Sequence, residues 1–145
     1  MNRPLALIID DEPDIRELLE ITLARMNIDS RCAGTLAQAF EQLGTSRFDL
    51  CLVDCPPHAM AGVAHLIEVS DFVVIPCQPS ALDVAAAGRA VEMVRAAGKR
   101  FAFVVNRAPW RAPENRETVQ TLAQLGPVCP VLISERRAYA RALTG

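Results

Sequence analysis

The 145-residue chain is short of aromatic residues, of histidine and of clustered glycine, and each shortage excludes something. With one Trp, one Tyr and five Phe, the core must be filled by the small aliphatic residues that pack layered α/β proteins. The seven glycines stand apart from one another, and no glycine-rich loop runs into Gly-Lys-Thr or Gly-Lys-Ser. Loop N–H groups and a lysine are what cradle a triphosphate, so their lack argues strongly against a phosphate-loop ATPase. His58 and His65 are the only histidines, and the five cysteines (Cys32, Cys51, Cys55, Cys77 and Cys129) form no Cys-x-x-Cys pair. An odd set of thiols in apolar runs argues against a disulfide framework or a zinc site, and for a reducing cytoplasm. No stretch reads as a signal peptide or a bilayer span, so no membrane is expected. A net charge of −2 gives no reason to expect nucleic acid as a partner.

What is present is a regular alternation. Six β-rich runs cover 5–10, 29–34, 48–54, 71–77, 101–106 and 128–133. Between them lie helical patterns. Ile15, Leu18, Leu19, Thr22, Leu23 and Met26 form one stripe behind Pro13, and Leu36, Ala39, Phe40 and Leu43 form another behind the capping pair Thr35 and Gln38. A short helix is expected over 60–69, a fourth from Ser80 to near Gly98, a fifth from Pro113 to Gly126-Pro127, and a last over 135–143. Strand–helix alternation predicts parallel strands joined by right-handed crossovers, with helices on both faces. The expected fold is therefore one α/β domain over 1–145, a three-layer, doubly wound sheet. Its order is flavodoxin-like, 2-1-3-4-5, with a sixth strand at the edge, where Pro130 is tolerated.

In such sheets the working loops follow the carboxyl ends of the strands. That rim collects Asp10, Asp11, Asp54, Cys77, Gln78, Asn106 and Arg107. If the first and third strands are neighbours, Asp10, Asp11 and Asp54 converge, and their mutual repulsion calls for a cation. Mg²⁺ takes hard oxygen ligands and needs one or two carboxylates beside its waters. A carboxylate next to Mg²⁺ can also attack a phosphoryl donor. The plainer reading is that acids often end strands, where helix dipoles favour them.

The stretch ALIIDDEPDIRELLEITLARMNIDSRCAGTLAQAFEQLGTSRFDLCLVD, residues 6–54, resembles the front half of a response-regulator receiver domain of the NtrC-type activators. The resemblance implies that Asp10 and Asp11 bind Mg²⁺ and that Asp54 is the phosphoacceptor. It implies a histidine kinase as partner, docking on helix 14–26. The rest departs from that pattern. CPPHAMAG replaces the usual methionine-proline loop, Pro76 and Cys77 stand where a Thr or Ser is expected, and Asn106 stands where a Lys is expected. Arg107 could supply charge, though its planar fork does not replace an ammonium.

Residues 52–145 resemble instead the rear portion of a ParA-type partition ATPase. The matching pieces are the Asp-x-Pro-Pro after the third strand, the block DFVVIPCQPSALD, the strand end VVNR and the tail PVLISERRAYARALTG. That resemblance implies Asp54 as a Walker B carboxylate and Asn106 near a nucleotide base, with Arg107 beside it. The missing phosphate loop removes the ATPase chemistry, so neither bound nucleotide nor enzymatic turnover is expected. The two resemblances meet at the strand ending in Asp54, which both families share. The chain thus reads as an engineered chimera, receiver-like over 1–54 and ParA-like over 55–145, with no intact evolved activity and no evolved partner, but retaining a receiver-like acidic Mg²⁺-binding and phosphoacceptor site at Asp10, Asp11 and Asp54. The alternative is a divergent natural receiver phosphorylated at Asp54, and a ParA-like nucleotide-binding protein ranks third. Arg136, Arg137 and Arg141 are read as a solvated helix end rather than a DNA contact. Trp110 is read as a cover for the end of the fifth helix.

Overall fold

The computed structural model describes residues 3–54 and 60–135, in two compact units, Met1–His58 and Ala59–Gly145. The expected helix over 135–143, with Arg136, Arg137 and Arg141, lies outside the described residues beyond Glu135, as do Cys55 and His58.

The first unit holds β1 (Leu5–Ile9), α1 (Pro13–Arg25), β2 (Asp29–Ala33), α2 (Leu36–Thr45) and β3 (Leu50–Val53). Its strands are parallel in the order β2-β1-β3. Central β1 is buried at Ala6, Leu7 and Ile8, as the middle strand of a parallel sheet must be. Alternation along β1 splits the core by face. Ala6 and Ile8 pack with Leu19 and Leu23 of α1, while Leu7 and Ile9 pack with Ala39 of α2. α1 starts at Pro13, whose missing N–H costs nothing there. It ends in a Schellman turn: Asn27 at φ 59° donates to Ala24 O, and Ile28 donates to Leu23 O. Thr35 caps α2 by accepting from Gln38 N, and Gln38 Oε1 answers by accepting from Gly34 N. Both helical stripes extend beyond the buried face, for Leu18 and Phe40 are 58% and 70% exposed.

The second unit holds α3 (Met60–Val69), β4 (Phe72–Cys77), α4 (Ala81–Ala96), β5 (Arg100–Val105) and α5 (Pro113–Leu125). β4 and β5 pair in parallel. The sixth run is present as an irregular parallel neighbour of β5, bridged at Phe103–Val128 and at Ala108–Ser134. Cys129 N donates to Phe103 O and Ile133 N to Val105 O, so the tail uses more residues than β5 over the same step. Pro130, which has no N–H to give, falls inside that bulge.

Helices α3, α4 and α5 share one core with Ile75, Cys77, Phe103 and Val105, so all three lie on one face of this sheet. The steps from β4 to β5 and from β5 to the tail run in the same direction. Right-handed crossovers then place successive helices on the same side. Ser80 caps α4 by accepting from Asp83 N, and its own hydroxyl donates to the Asp83 carboxylate. Gly98 at φ 67° closes α4 in a second Schellman turn.

Gly126 is needed for a different reason. Its backbone is extended, but an added Cβ would overlap the Phe101 ring, which stacks edge-on against Phe103 at 5.5 Å. Gly126→Ala is expected to destabilise the protein by about 1–3 kcal/mol through overpacking. A lowered denaturant midpoint at unchanged slope would confirm this.

Candidate functional site

In the first unit the carboxyl end of β1 carries Asp10 and Asp11, and the end of β3 carries Asp54. β1 and β3 are paired up to Ile9–Val53, and Asp54 N then donates to Ile9 O at 3.1 Å. The ladder thus carries the Asp54 backbone alongside the turn that begins at Asp10. Asp10 is 6% exposed, and its Oδ1 accepts from Glu12 N at 2.8 Å, which turns the chain into α1. Asp11 and Asp54 are exposed. Among the described residues, no three His, Cys, Asp or Glu side chains form a group able to hold a metal ion, so the three carboxylates are aligned along the rim but not gathered. The donor chemistry still suits Mg²⁺, a hard ion that one or two carboxylates can hold beside its own waters.

Arg16 is a part of this site that the sequence reading missed. Its Nη1 donates to the Asp10 carbonyl at 2.8 Å, and its guanidinium lies against Gly34 at the end of β2. It fixes the backbone of the acidic turn without neutralising the Asp10 carboxylate directly. Its signal in the sequence is an arginine on the first turn of a helix that faces the rim.

In the second unit, Asn106 N donates to Cys77 O at 2.9 Å, so the ends of β4 and β5 sit side by side. Asn106 Oδ1 accepts from Arg107 N at 2.8 Å, committing that oxygen to its own loop, while exposed Arg107 takes φ 52°. Trp110 does not cover α5; it is 76% exposed, with the Arg111 guanidinium 5.6 Å from its ring centre. Two positive-φ residues, Arg107 and Arg111, turn the loop outward and carry the indole away from the helix. Asn115 holds this loop. It is buried, and its Nδ2 donates to Pro109 O at 2.7 Å. Nothing in the sequence marks it beyond its place in the first turn of α5. An open cleft of about 450 Å³ between α4 and α5 is lined by Ser80, Val84, Glu114, Glu117 and Thr121.

The thiols are quiet. Burial, and then the charge of Asp83, push the Cys77 thiol up, so its place on the rim does not make it a nucleophile. Burial pushes Cys32 up to about 11, reinforced by a hydrogen bond and charge from Glu20 and opposed by Arg16. Native protein is therefore expected to react with iodoacetamide at exposed Cys51 while Cys77 and Cys32 react only after unfolding; peptide mass mapping reads the difference. The pH sign follows. Between the ordinary thiol value of 9.0 and about 11, the folded chain keeps the Cys32 proton that the unfolded chain releases. Stability from this group is complete below pH 9.0 and is lost as pH rises toward about 11.

No family model matches the chain. Two relatives match different shares of it. Over 54 residues, 37% of the chain, it is 61% identical to the response regulator protein PilR of Pseudomonas aeruginosa. Over 109 residues, 70% of the chain, it is 33% identical to the maintenance of carboxysome distribution protein A of Halothiobacillus neapolitanus. The two shares together exceed the whole chain, so the matched regions overlap. The chain spans 12% of the first relative and 50% of the second. Both resemblances read from the sequence, to a response regulator in one segment and to a ParA-type protein in the other, hold.

Proposed function

We propose that the chain is an engineered hybrid of a receiver front and a ParA-like rear, whose one retained chemical capacity is an acidic phosphoacceptor site. The observation that supports it is the bond from Asp54 N to Ile9 O, which carries Asp54 alongside the buried Asp10. Asp10, Asp11 and Asp54 would hold Mg²⁺, which when bound offsets charge on an incoming phosphoryl group. Exposed Asp54 can then attack the phosphorus of a small acyl phosphate. A bond forms from its carboxylate oxygen to phosphorus, and the donor's carboxylate leaves with the bonding pair.

The chain is not an enzyme in this reading, and no nucleotide is expected. The turn after β1 is acidic, and Glu114 and Glu117 line the cleft between α4 and α5. Asn106 and Arg107 remain as residual phosphate or nucleotide contacts. No partner is expected of a hybrid, neither membrane nor nucleic acid, whereas a histidine kinase would be the partner of a natural receiver. Free thiols at Cys32, Cys51, Cys77 and Cys129 suit the cytoplasm. Among the described residues no helix is long and apolar enough to cross a membrane.

The fold that serves this function is a single domain over 1–145, with β3 paired to β4 to give the order 2-1-3-4-5 and the tail as sixth edge strand. Incubation with acetyl phosphate and Mg²⁺ tests the function. One added phosphoryl mass per chain, dependent on Mg²⁺, is expected, together with no ATP turnover. Absence of labelling, or measurable ATP hydrolysis, would contradict it.

A further inference from the structure

The acidic turn after β1 is held at three points around Asp10. Its N–H donates to Ala33 O at 3.2 Å, its Oδ1 accepts from Glu12 N at 2.8 Å, and its carbonyl accepts from Arg16 Nη1 at 2.8 Å. The first bond continues the β1–β2 ladder, and the second is a local turn. The third comes from a side chain one turn into α1. Arg16 N also donates to Glu12 O at 3.1 Å, so one residue bonds the carbonyls on both sides of Asp11. With Oδ1 used by Glu12, Oδ2 of Asp10 is the oxygen left for a cation. The seat of the guanidinium is specific too. A Cβ added at Gly34, the residue after β2, would lie 3.1 Å from Nη1 and 3.4 Å from Cζ of Arg16, so the fork rests on bare backbone. Its charge falls on a main-chain oxygen and does not use up the carboxylate oxygens that a hard cation takes.

We propose that Arg16, seated on Gly34, is a positioning residue for the Mg²⁺ site: by holding the Asp10 carbonyl it keeps the Asp10–Asp11 turn in the shape that binds the ion. The role rests on the phosphoacceptor reading of Asp10, Asp11 and Asp54. Two effects of Arg16 oppose each other. As a cation near a cation site it weakens Mg²⁺ binding, and as an outer partner that fixes the ligands it strengthens it. Loss of such an outer partner lowers metal affinity by about 10–100-fold, whereas a solvent-screened charge changes it by about fivefold at most. Positioning therefore wins, and the sign tells the two apart. Removing Arg16 lowers Mg²⁺ affinity, where electrostatics alone predicts a rise.

The test is amide NMR on the full chain, with Mg²⁺ titrated into the wild type, Arg16→Ala, Gly34→Val and the double variant. Arg16→Ala removes the fork and keeps a good helix former in α1. Gly34→Val keeps the fork and its charge but sets methyl groups where it rests, and Gly34 has no positive φ to bar a side chain. Each single variant is expected to weaken Mg²⁺ binding several-fold. Gly34→Val is expected to add nothing in the Arg16→Ala background, because no fork is left to displace. Before any metal is added, exchange of the Glu12 amide is expected to quicken several-fold in both single variants, while the Leu7 and Ile8 amides of buried β1 keep their rates. Equal or tighter Mg²⁺ binding by Arg16→Ala would overturn the proposal. So would additive losses in the double variant, the mark of two unrelated perturbations, or exchange at Leu7 and Ile8 that rises in step with Glu12, the mark of general unfolding. A wild type with no saturable response to Mg²⁺ would instead overturn the phosphoacceptor reading, and the role of Arg16 with it.

Discussion

Asp54→Asn is expected to abolish Mg²⁺-dependent labelling by acetyl phosphate and to leave the fold unchanged. The first half of the expectation follows from chemistry, since an amide is no nucleophile toward phosphorus at neutral pH and is a weaker ligand for a hard cation. The second follows from position: Asp54 is exposed, and the bond that ties it to β1 comes from its main chain, which the substitution keeps. Exposed substitutions of this kind stay within about 0.5 kcal/mol. Asp10→Asn separates two roles. Its Oδ1 accepts the Glu12 N–H that opens α1, and an asparagine oxygen can accept it too. Labelling should therefore fall in Asp10→Asn with little change in melting temperature. Labelling that persists in Asp54→Asn would place the phosphoryl group on another residue.

The largest effect on stability is expected at Phe103. It is fully buried in the second unit's core, stacks edge-on against Phe101 with the planes at 82°, and sits on the strand that pairs with both β4 and the tail. Phe103→Ala removes an aromatic ring from a site flanked by backbone on both sides, where collapse is hindered. A loss of about 3–5 kcal/mol is expected, a large fraction of a domain's stability. Because the core that Phe103 joins draws on the second unit's own residues, urea unfolding followed by amide signals should show β4, β5 and α4 losing protection together. A loss below about 1 kcal/mol would mean that the ring is far less enclosed than its burial implies.

Much of this architecture is legible in the sequence, because its signals are local. Ser80 with Asp83, Pro113 and Gly98 mark helix ends by capping chemistry alone, and the structure places each at such an end. Pro130 announces an irregular edge, and the tail beside β5 bulges there. What the sequence hides is non-local. Gly126 is fixed by Phe101, a ring on another strand, and so cannot be read from its neighbours. Arg16 and Asn115 act by bonding the backbone of loops, Asp10 O and Pro109 O, and neither makes a motif. The position of α5 beside α4 follows from where the tail docks, which depends on crossover direction rather than on helical periodicity. For the candidate site, residue types and strand ends were readable, and the β1–β3 ladder aligns Asp54 with the acidic turn as adjacency requires. The distance between side chains was not readable, because it depends on how Arg16 and Glu12 shape that turn.

The first measurement to make is an amide NMR titration of the full chain with Mg²⁺, without and with beryllofluoride as a mimic of the phosphorylated aspartate. Shifts that saturate together at Asp10, Asp11 and Asp54, and that grow when beryllofluoride is added, are the predicted result. A folded spectrum in which these three signals do not respond would mean that Asp54 only ends a strand, and the phosphoacceptor reading would be wrong.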